Sequence, residues 1–439
     1  MIMLFVRFRV GVAAYLAYIF LVPFMKVEIG GYVLQWNFIN ILVLLAFFVN
    51  QYKKNDGIFK FDYRPLIPFF IYFGVSLILM PIQDGVPAGE ALNTWRMQVM
   101  KCLILAFVIW NDILGDKNSI KLYRNVTIGC IIISALYGLF LTTTPGMNPY
   151  VIFISEANGE EFNFAYAAGN SGLSDNEVLN EERLFGRISS VFSHPMTYGL
   201  FLGLSLFYTY RNKDLSKLLF YGLVLLILAN IFFCGVRSAI AAMSVAIIIL
   251  LLQTRNIKFL LYIIFSTIGL YVLWDVTVES PTLYTYITSI FDPSNSEIGG
   301  STIEMRLEQF QGCLEEIRDN FLEGKGFGWT GYYLSIHDGH PTMLFFESLI
   351  FVVLCNSGVI GVILWVFMSI KVLKYNHTKG HPFDYILNTL YAFYIAYACI
   401  TGEYGYMQYF ILFYILMLAE DQHMKRLEGP NSHQIIFDE

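Results

Sequence analysis

Long apolar blocks alternate with short charged segments over most of the chain. A block of about 20 apolar residues is long enough to cross a bilayer as a helix. The pattern therefore predicts an all-α polytopic membrane protein with about twelve transmembrane helices. We place the predicted helices at about residues 10–25, 32–50, 66–82, 99–114, 125–143, 190–210, 218–234, 238–253, 259–275, 342–370, 384–400 and 406–419.

Basic residues cluster in every second loop between these blocks, and the loops in between are poor in Lys and Arg. By the positive-inside rule, the basic loops and both termini are expected to be cytoplasmic. The basic set comprises Arg7, Arg9, Lys53, Lys54, Lys60, Arg64, Lys117, Lys121, Arg124, Arg211, Lys213, Lys217, Arg255, Lys258, Lys371, Lys374, Lys379, Lys425 and Arg426.

Two long polar segments fall on the side opposite the basic loops. A membrane protein whose polar mass lies on one face is expected to work on that face, here the outer one, where no ATP is available. The predicted divisions are helices 1–5 (1–143), an acidic periplasmic loop (144–189), helices 6–9 (190–275), a large periplasmic loop (276–341), helices 10–12 (342–419) and a cytoplasmic tail (420–439).

The large loop has the pattern of an amphipathic helix. Ser301 and Glu304 have the spacing of a capping box, and Gly324 is typical of a helix end. We expect the helix to lie on the membrane surface or on the transmembrane bundle. The apolar residues at helical spacing are Ile303, Leu307, Phe310, Leu314, Ile317 and Phe321.

Composition agrees with the membrane interpretation. Hydrophobic residues make up 56 % and charged residues 14 % of the chain, whereas a soluble domain carries about a quarter charged residues. None of the six cysteines forms a C-x-x-C motif, so we expect neither a disulfide framework nor a thiolate metal site. The sequence also lacks a Walker loop, an Asp-x-Asp motif and a basic patch. We therefore expect no cofactor and no nucleic-acid partner.

Three arginines at the predicted outer ends of apolar blocks are candidates for binding phosphate, because the guanidinium fork suits phosphate oxygens. Arg237 interrupts an apolar block, Arg187 precedes one, and Arg306 lies one turn into the amphipathic helix. Each has a plainer alternative. Arg237 could extend to lipid headgroups, Arg187 and the nearby Arg183 could pair within the acidic loop, and Arg306 could pair with a glutamate of its own helix.

Two histidines and a glutamate follow in the segment SIHDGHPTMLFFES. His337 and His340 can act as an acid or a base near neutral pH. Glu347 is placed about two turns into the next predicted span, where an ionisable side chain indicates function. Its alternative role is that of an ion-pair partner for one of the arginines. Gly339 and Pro341 interrupt any helix here, and no third ligand has a diagnostic spacing, so we expect no metal site.

Together these segments resemble the O-antigen polymerase and O-antigen ligase superfamily of bacterial surface-polysaccharide assembly. The resemblance covers roughly residues 180–370. RISSVFSHPMTYGLFLGLSL is similar to the family's R-x-S-(x)-F-x-x-P-N-x-x-G segment, with Met196 in place of Asn, and CGVRSAIAAMSVAIIILLL is similar to its S-R-G-A span. MRLEQFQGCLEEIRDNFLEGKGFGW, followed by His340 and NSGVIGVILWVF, is similar to its last large loop and the next span, with Pro341 in place of Asn.

The resemblance implies a metal-independent glycosyltransferase of the bacterial inner membrane. Its donor would be an oligosaccharide on undecaprenyl diphosphate at the periplasmic face. By the family's motif positions, Arg237 and Arg306 would bind the diphosphate, and Arg187 is a third candidate. Fixed arginines can stabilise the charge of a departing diphosphate where no metal does.

The same resemblance assigns the acid and base groups. His340, or otherwise His337, would serve as the base on the acceptor hydroxyl or as a further donor to phosphate. Glu347 would orient or assist the histidine.

Three functions fit this pattern. A polymerase, which joins lipid-linked repeats, is favoured because the acidic and aromatic outer loops look suited to one glycan. A ligase that moves the finished glycan to lipid A-core is the first alternative, and a lipid-linked oligosaccharide flippase is the second. The charges cluster at one face and no internal repeat is found, which argues against a transporter. The expected partners are the lipid-linked oligosaccharide and the lipid membrane, and a chain-length regulator is left open.

Overall fold

The computed structural model describes residues 2–22, 27–29, 32–34, 36–54, 56–59, 61–144, 148–157, 187–212, 215–254, 303–376, 384–403 and 405–427. Within these ranges the fold is almost entirely helical. Strands β1 (Val27–Ile29) and β2 (Tyr32–Leu34) form a small antiparallel pair. The predicted span at 259–275, Arg183 and most of both long loops lie outside the described residues.

The helices of the described ranges are numbered in chain order. They are α1 (Ile2–Val6), α2 (Phe8–Leu21), α3 (Trp36–Lys54), α4 (Ile67–Leu79), α5 (Ala88–Val99), α6 (Leu105–Gly115), α7 (Lys117–Leu141), α8 (Pro149–Ala157), α9 (Pro195–Arg211), α10 (Lys217–Cys234), α11 (Arg237–Thr254), α12 (Ile303–Glu316), α13 (Trp329–Ile336), α14 (Leu349–Asn376), α15 (Asp384–Thr401) and α16 (Tyr406–Leu427). A π-helical segment, Met100–Ile104, joins α5 to α6.

Six helical segments in the described part of the chain are long and apolar enough to cross a membrane. This confirms the prediction of an all-α membrane protein, while the total of twelve spans and their orientation remain predictions. The six segments are Arg64–Ile82, Ala88–Leu114, Asn118–Leu141, Lys217–Cys234, Arg237–Thr254 and Leu349–Tyr375. Shorter apolar helices occupy Phe8–Leu21, Tyr385–Thr401 and Tyr406–Glu420.

Polar contacts gather residues of the predicted basic loops at one end of the bundle. Arg9 pairs with Asp112, at 3.6 Å, and with Asp116. Lys54 lies 3.9 Å from the same buried Asp112, whose other oxygen accepts the Tyr123 hydroxyl at 2.8 Å. Towards the other end of α7, the turn before α9 contacts that helix, because the Ser190 hydroxyl donates to the carbonyl of Ser134 at 2.6 Å.

The fourth predicted span begins earlier than the sequence suggested. We expected it at 99–114, but the helical segment runs from Ala88 to Leu114. The first part, AGEALNTWRMQV, is too polar for a hydropathy pattern to include it. It is held against α4 in part by Trp95, whose Nε1 donates to the carbonyl of Phe73 at 2.8 Å.

The prediction that Glu347 lies inside a membrane span is wrong. Helix α14 begins only at Leu349, so Glu347 lies in the turn before it. Leu344 and Phe346 have left-handed φ angles of 51° and 57°. A right-handed helix cannot include residues with these angles, so it starts after them. Their hydropathy suggested a span, but Phe346 and the neighbouring Met343 are buried in a second, smaller hydrophobic cluster instead.

The amphipathic helix forms, with a different division of its faces. Helix α12 ends at Glu316, and its Cys313 packs against α14 with the Sγ atoms of Cys313 and Cys355 at 3.7 Å. The capping residue Ser301 lies outside the described residues. Three members of the predicted apolar stripe, Leu307, Phe310 and Leu314, are exposed. The helix therefore has one face on the bundle and a second apolar face turned outwards.

Helix α14 is interrupted at Gly358, and the loop before α13 fills the interruption. Gly358 has φ 58° and ψ −155°, a conformation that is essentially restricted to glycine. The N–H groups of Val359 and Ile360 donate to the carbonyls of Phe321 and Leu322 at 3.0 and 3.1 Å. Gly324 makes this approach possible, because a Cβ there would lie 2.5 Å from the Gly358 nitrogen.

Gly358→Ala is expected to lower the free energy of unfolding by roughly 3 kcal/mol or more. The backbone conformation alone costs a non-glycine residue about 1–3 kcal/mol, and the new Cβ would overlap the Leu322 carbonyl. Unfolding of the purified protein in detergent, followed by tryptophan fluorescence, measures the change.

The matched control is Gly129→Ala. Gly129 lies inside α7, and a Cβ there meets nothing within 4 Å. We expect this substitution to leave stability unchanged or to raise it slightly. Equal stability of the two variants would contradict the role given to the interruption at Gly358.

Candidate functional site

The last turn of α15 is contacted by Arg306 and, through Tyr397, by the segments that carry Arg187 and Arg237. The last carbonyl groups of a helix have no partner within the helix and need outside donors. Arg306 supplies one, because its Nη2 donates to the carbonyl of Ile400 at 3.2 Å. The side chain thereby links α12 to the end of α15, where the helix dipole also stabilises a cation.

Glu347 is the ionic partner of Arg306. The Arg306 Nη2 lies 3.2 Å from Glu347 Oε2, and its Nη1 donates to the Glu347 carbonyl at 2.7 Å and to Gln309 Oε1 at 3.2 Å. The alternative role of Glu347 as an arginine partner thus matches the structure. This partner comes from the turn before α14, a part of the chain distant from α12 in sequence.

Arg187 and Arg237 belong to a second part of the same region. Gly235 closes α10 with a left-handed φ of 64°, and Arg237 begins α11 two residues later. The Cγ atom of Arg187 lies 3.3 Å from the position that a Cβ on Gly235 would occupy. Arg187 therefore packs against the turn that presents Arg237. Both side chains are half-buried.

Tyr397 connects this turn to the end of α15. Its hydroxyl donates to the carbonyl of Met196 at 2.6 Å and hydrogen-bonds Ser238, and the charge of Arg187 also acts on it. Tyr397 precedes Ile400 by three residues, about 4.5 Å along a helix. The structure thus brings the Arg187 and Arg237 segments and Arg306 to one helix turn.

His340 is buried and its ring is held on both sides. Its Nδ1 accepts from the N–H groups of Thr342 and Met343 at 3.2 and 3.1 Å. An accepting Nδ1 leaves the proton of the neutral ring on Nε2, which faces Glu316 Oε2 at 3.4 Å. Two roles were left open for His340, a hydrogen-bond donor and a base. This geometry favours the donor, because Nδ1 already accepts two backbone N–H groups.

His337 is exposed at the end of α13 and packs against Tyr333, with ring centroids 4.5 Å apart and the rings tilted by 40°. Tyr333 also contacts the His340 ring at 5.3 Å. Trp329 is buried against Tyr333 and Phe346. Of the two candidates His337 and His340, His337 is thus the one with a surface open to a ligand.

His194 has a structural role. It caps helix α9, because its Nδ1 accepts from the N–H of Met196 at 3.1 Å.

Sequence reasoning missed two charged residues beside this region. Lys101 lies in the π-helical segment, and Glu403 follows the end of α15. Burial raises the pKa of the Glu403 carboxyl, against the opposing effects of the Gly405 and Met407 N–H groups and of the Lys101 charge. A signal existed, since Lys101 interrupts a predicted apolar span and charged residues at such positions are costly.

The described residues contain no group of three His, Cys, Asp or Glu side chains placed to hold a metal ion. Comparison with known proteins found no protein-family model and no curated protein that matches the chain.

A double-mutant cycle of Arg306→Gln and Glu347→Gln should give a coupling energy of about 1 kcal/mol or more. The reason is that the pair is only about 30 % exposed, at 27 % for Arg306 and 31 % for Glu347. Unfolding free energies of the two single variants and the double variant provide the measurement.

Glu308→Gln is the control for this cycle, because Glu308 lies exposed on the same helix as Arg306. We expect it to show no coupling to Arg306→Gln. Additive effects for Glu347, or equal coupling for Glu308, would show that the ion pair does not hold α12 in place.

Proposed function

We propose that the chain is a membrane glycosyltransferase that polymerises undecaprenyl-diphosphate-linked oligosaccharide repeats at the periplasmic face. The observation that carries this proposal is the meeting of the Arg187, Arg237 and Arg306 segments at the last turn of α15. These segments come from distant parts of the chain. Guanidinium groups gathered at the ends of apolar helices suit a diphosphate whose lipid chain remains in the bilayer.

The reaction needs no cofactor. The acceptor hydroxyl oxygen forms a bond to the anomeric carbon of the donor sugar, and the bond from that carbon to the diphosphate oxygen breaks. The diphosphate leaves with the bonding electron pair, and the hydroxyl proton passes to a base. Fixed arginines lower the barrier because the leaving group gains negative charge as the bond breaks.

Arg306 already holds an anion in the structure. Four of its N–H groups are occupied, and one of these bonds goes to the Glu347 carboxylate. An arriving phosphate group would replace that carboxylate. The displaced Glu347 would then be available as an acceptor beside the donor sugar.

The histidine roles divide in this proposal. His340 supports the turn between α13 and α14 and offers an Nε2 proton towards Glu316. His337 is exposed and is the candidate that exchanges protons with solvent or with a substrate hydroxyl.

Arg237→Ala is expected to abolish polymer formation while the protein remains folded. The readout is a gel of surface glycolipid from cells that lack the protein and carry either the variant or the unaltered chain. Loss of the ladder with a single repeat on the core indicates a polymerase. Bare core with long polymer left on its lipid carrier indicates a ligase.

Arg64→Ala serves as the control, because Arg64 is exposed at the opposite end of the bundle. It should keep the ladder. An unchanged ladder in Arg237→Ala cells would remove the centre of the proposal. Movement of the lipid-linked oligosaccharide by purified protein without bond formation would support the flippase instead.

His340→Asn is expected to retain more activity than His337→Asn. An asparagine Oδ1 can take the place of the His340 Nδ1 that accepts two backbone N–H groups, so the turn should survive. Initial rates of glycan joining by the purified variants give the comparison. Loss of activity in His340→Asn, with unchanged thermal stability and an active His337→Asn, would return the chemical role to His340.

A further inference from the structure

A cavity of about 280 Å³ lies just past the end of α15. It is bounded by α4, α5 with the π-helical segment, α13, the part of α14 up to Trp365, and the first turn of α16. Its size is near the lower end of small-molecule pockets, which range from about 300 to 1,000 Å³. None of the residues assigned to the proposed diphosphate site lines it.

One side of the cavity carries a pair of opposite charges. Lys101 and Glu403 both line it, and the Lys101 charge stabilises the Glu403 carboxylate. The carboxylate is fixed by the N–H groups of Gly405, at 2.9 Å, and Met407, at 2.6 Å. The other residues that line the cavity are uncharged, so the formal charges cancel and an anion gains little by entering.

Amide groups add further hydrogen-bonding capacity to the lining. Asn356 uses its Oδ1 to accept the N–H of Thr330 at 3.0 Å, which leaves its Nδ2 as a donor. Gln98 lines the cavity beside Lys101. The cavity therefore offers both donors and an acceptor, as a hydroxyl group requires.

The remaining walls are aromatic and aliphatic. Phe73 and Phe327 line the cavity with ring centroids 6.4 Å apart, and Tyr72 and Trp365 line it at 5.6 Å from each other. Flat apolar walls with a few polar groups suit a ring that has a C–H face and a hydroxyl edge. A hydrocarbon chain fits less well, because it would leave the charged pair without polar contacts.

Two short segments connect the cavity to the arginines. Glu403 follows Ile400, the Arg306 partner, by three residues. Phe346 and Leu349, which line the cavity, flank Glu347 along the chain. A ligand in the cavity would thus lie next to the group that the arginines hold.

We propose that this cavity binds the uncharged terminal sugar of the acceptor glycan, an assignment that rests on the proposed glycosyltransferase function. The Lys101–Glu403 pair and Asn356 would bind its hydroxyl groups, and the aromatic walls would bind its ring face. The arginines would hold the donor diphosphate separately.

The test uses the purified full-length protein and a panel of methyl glycosides of glucose, galactose, mannose, rhamnose and N-acetylglucosamine. Binding is followed by tryptophan fluorescence, and Trp365→Phe reports whether the signal arises in the cavity. At least one glycoside should bind, and its permethylated counterpart, which lacks hydroxyl donors, should not. Inorganic diphosphate is the second probe and should bind independently of Lys101.

Two kinds of variant test the assignment. Lys101→Met removes one polar group, and Gly331→Phe fills the cavity at a position where a Cβ meets nothing within 4 Å. Each should weaken glycoside binding by about tenfold or more, equivalent to about 1.4 kcal/mol. Gly222→Phe and Lys371→Met, which lie outside the cavity lining, are the matched controls and should bind as the unaltered protein does.

The outcomes separate the two proposals. Absence of binding by every glycoside, or binding unchanged in Gly331→Phe, overturns the sugar subsite. If Gly331→Phe forms polymer with an unchanged KM for the acceptor, the sugar subsite is also overturned. The proposed glycosyltransferase function is then kept. Glycoside binding that responds to both variants, with no glycan joining by the unaltered protein, overturns the glycosyltransferase and keeps the sugar site.

Discussion

The close backbone contact between Gly324 and Gly358 is the constraint on which the site depends. A helix that is interrupted near a bilayer exposes backbone groups that must find partners in protein, because lipid offers none. The loop at 321–325 supplies them, and the N–H of Lys325 also donates to the carbonyl of Cys355 at 2.8 Å. The arrangement fixes α12 on one side of the loop and the cavity wall at Phe327 on the other.

The end of α15 is the second fixed point, and it follows from ordinary helix physics. Terminal carbonyls attract donors, and Arg306 satisfies one while it pairs with Glu347. Charged side chains in such a setting are costly unless partnered. Arg306 finds its partners in α15 and in the turn before α14. Tyr397 of α15 bonds α9 through Met196 and α11 through Ser238, so contacts to one helix end hold these helices together.

Hydropathy was sufficient for the helical membrane fold, since apolar blocks are a property of local sequence. It was insufficient for Glu347. Leu344 and Phe346 are apolar and so were included at the start of the predicted span, but their left-handed φ angles exclude them from a helix. The three arginines could be selected by their positions in the sequence. Their meeting point could not, because it depends on Tyr397 and on one carbonyl of α15. The approach of Lys101 and Glu403 was likewise hidden, since most of the chain lies between them.

The two polar regions differ in a way that suits two different ligands. In the proposed reaction, the arginine region exchanges the carboxylate of Glu347 for a phosphate group. The carboxylate of Glu403, by contrast, is bound by two N–H groups of its own turn. A site built on a replaceable anion favours a charged ligand, and one built on a fixed charge pair favours a neutral ligand with hydroxyl groups. The short distance between Ile400 and Glu403 along the chain would place such ligands side by side, which is the geometry that transfer between them requires.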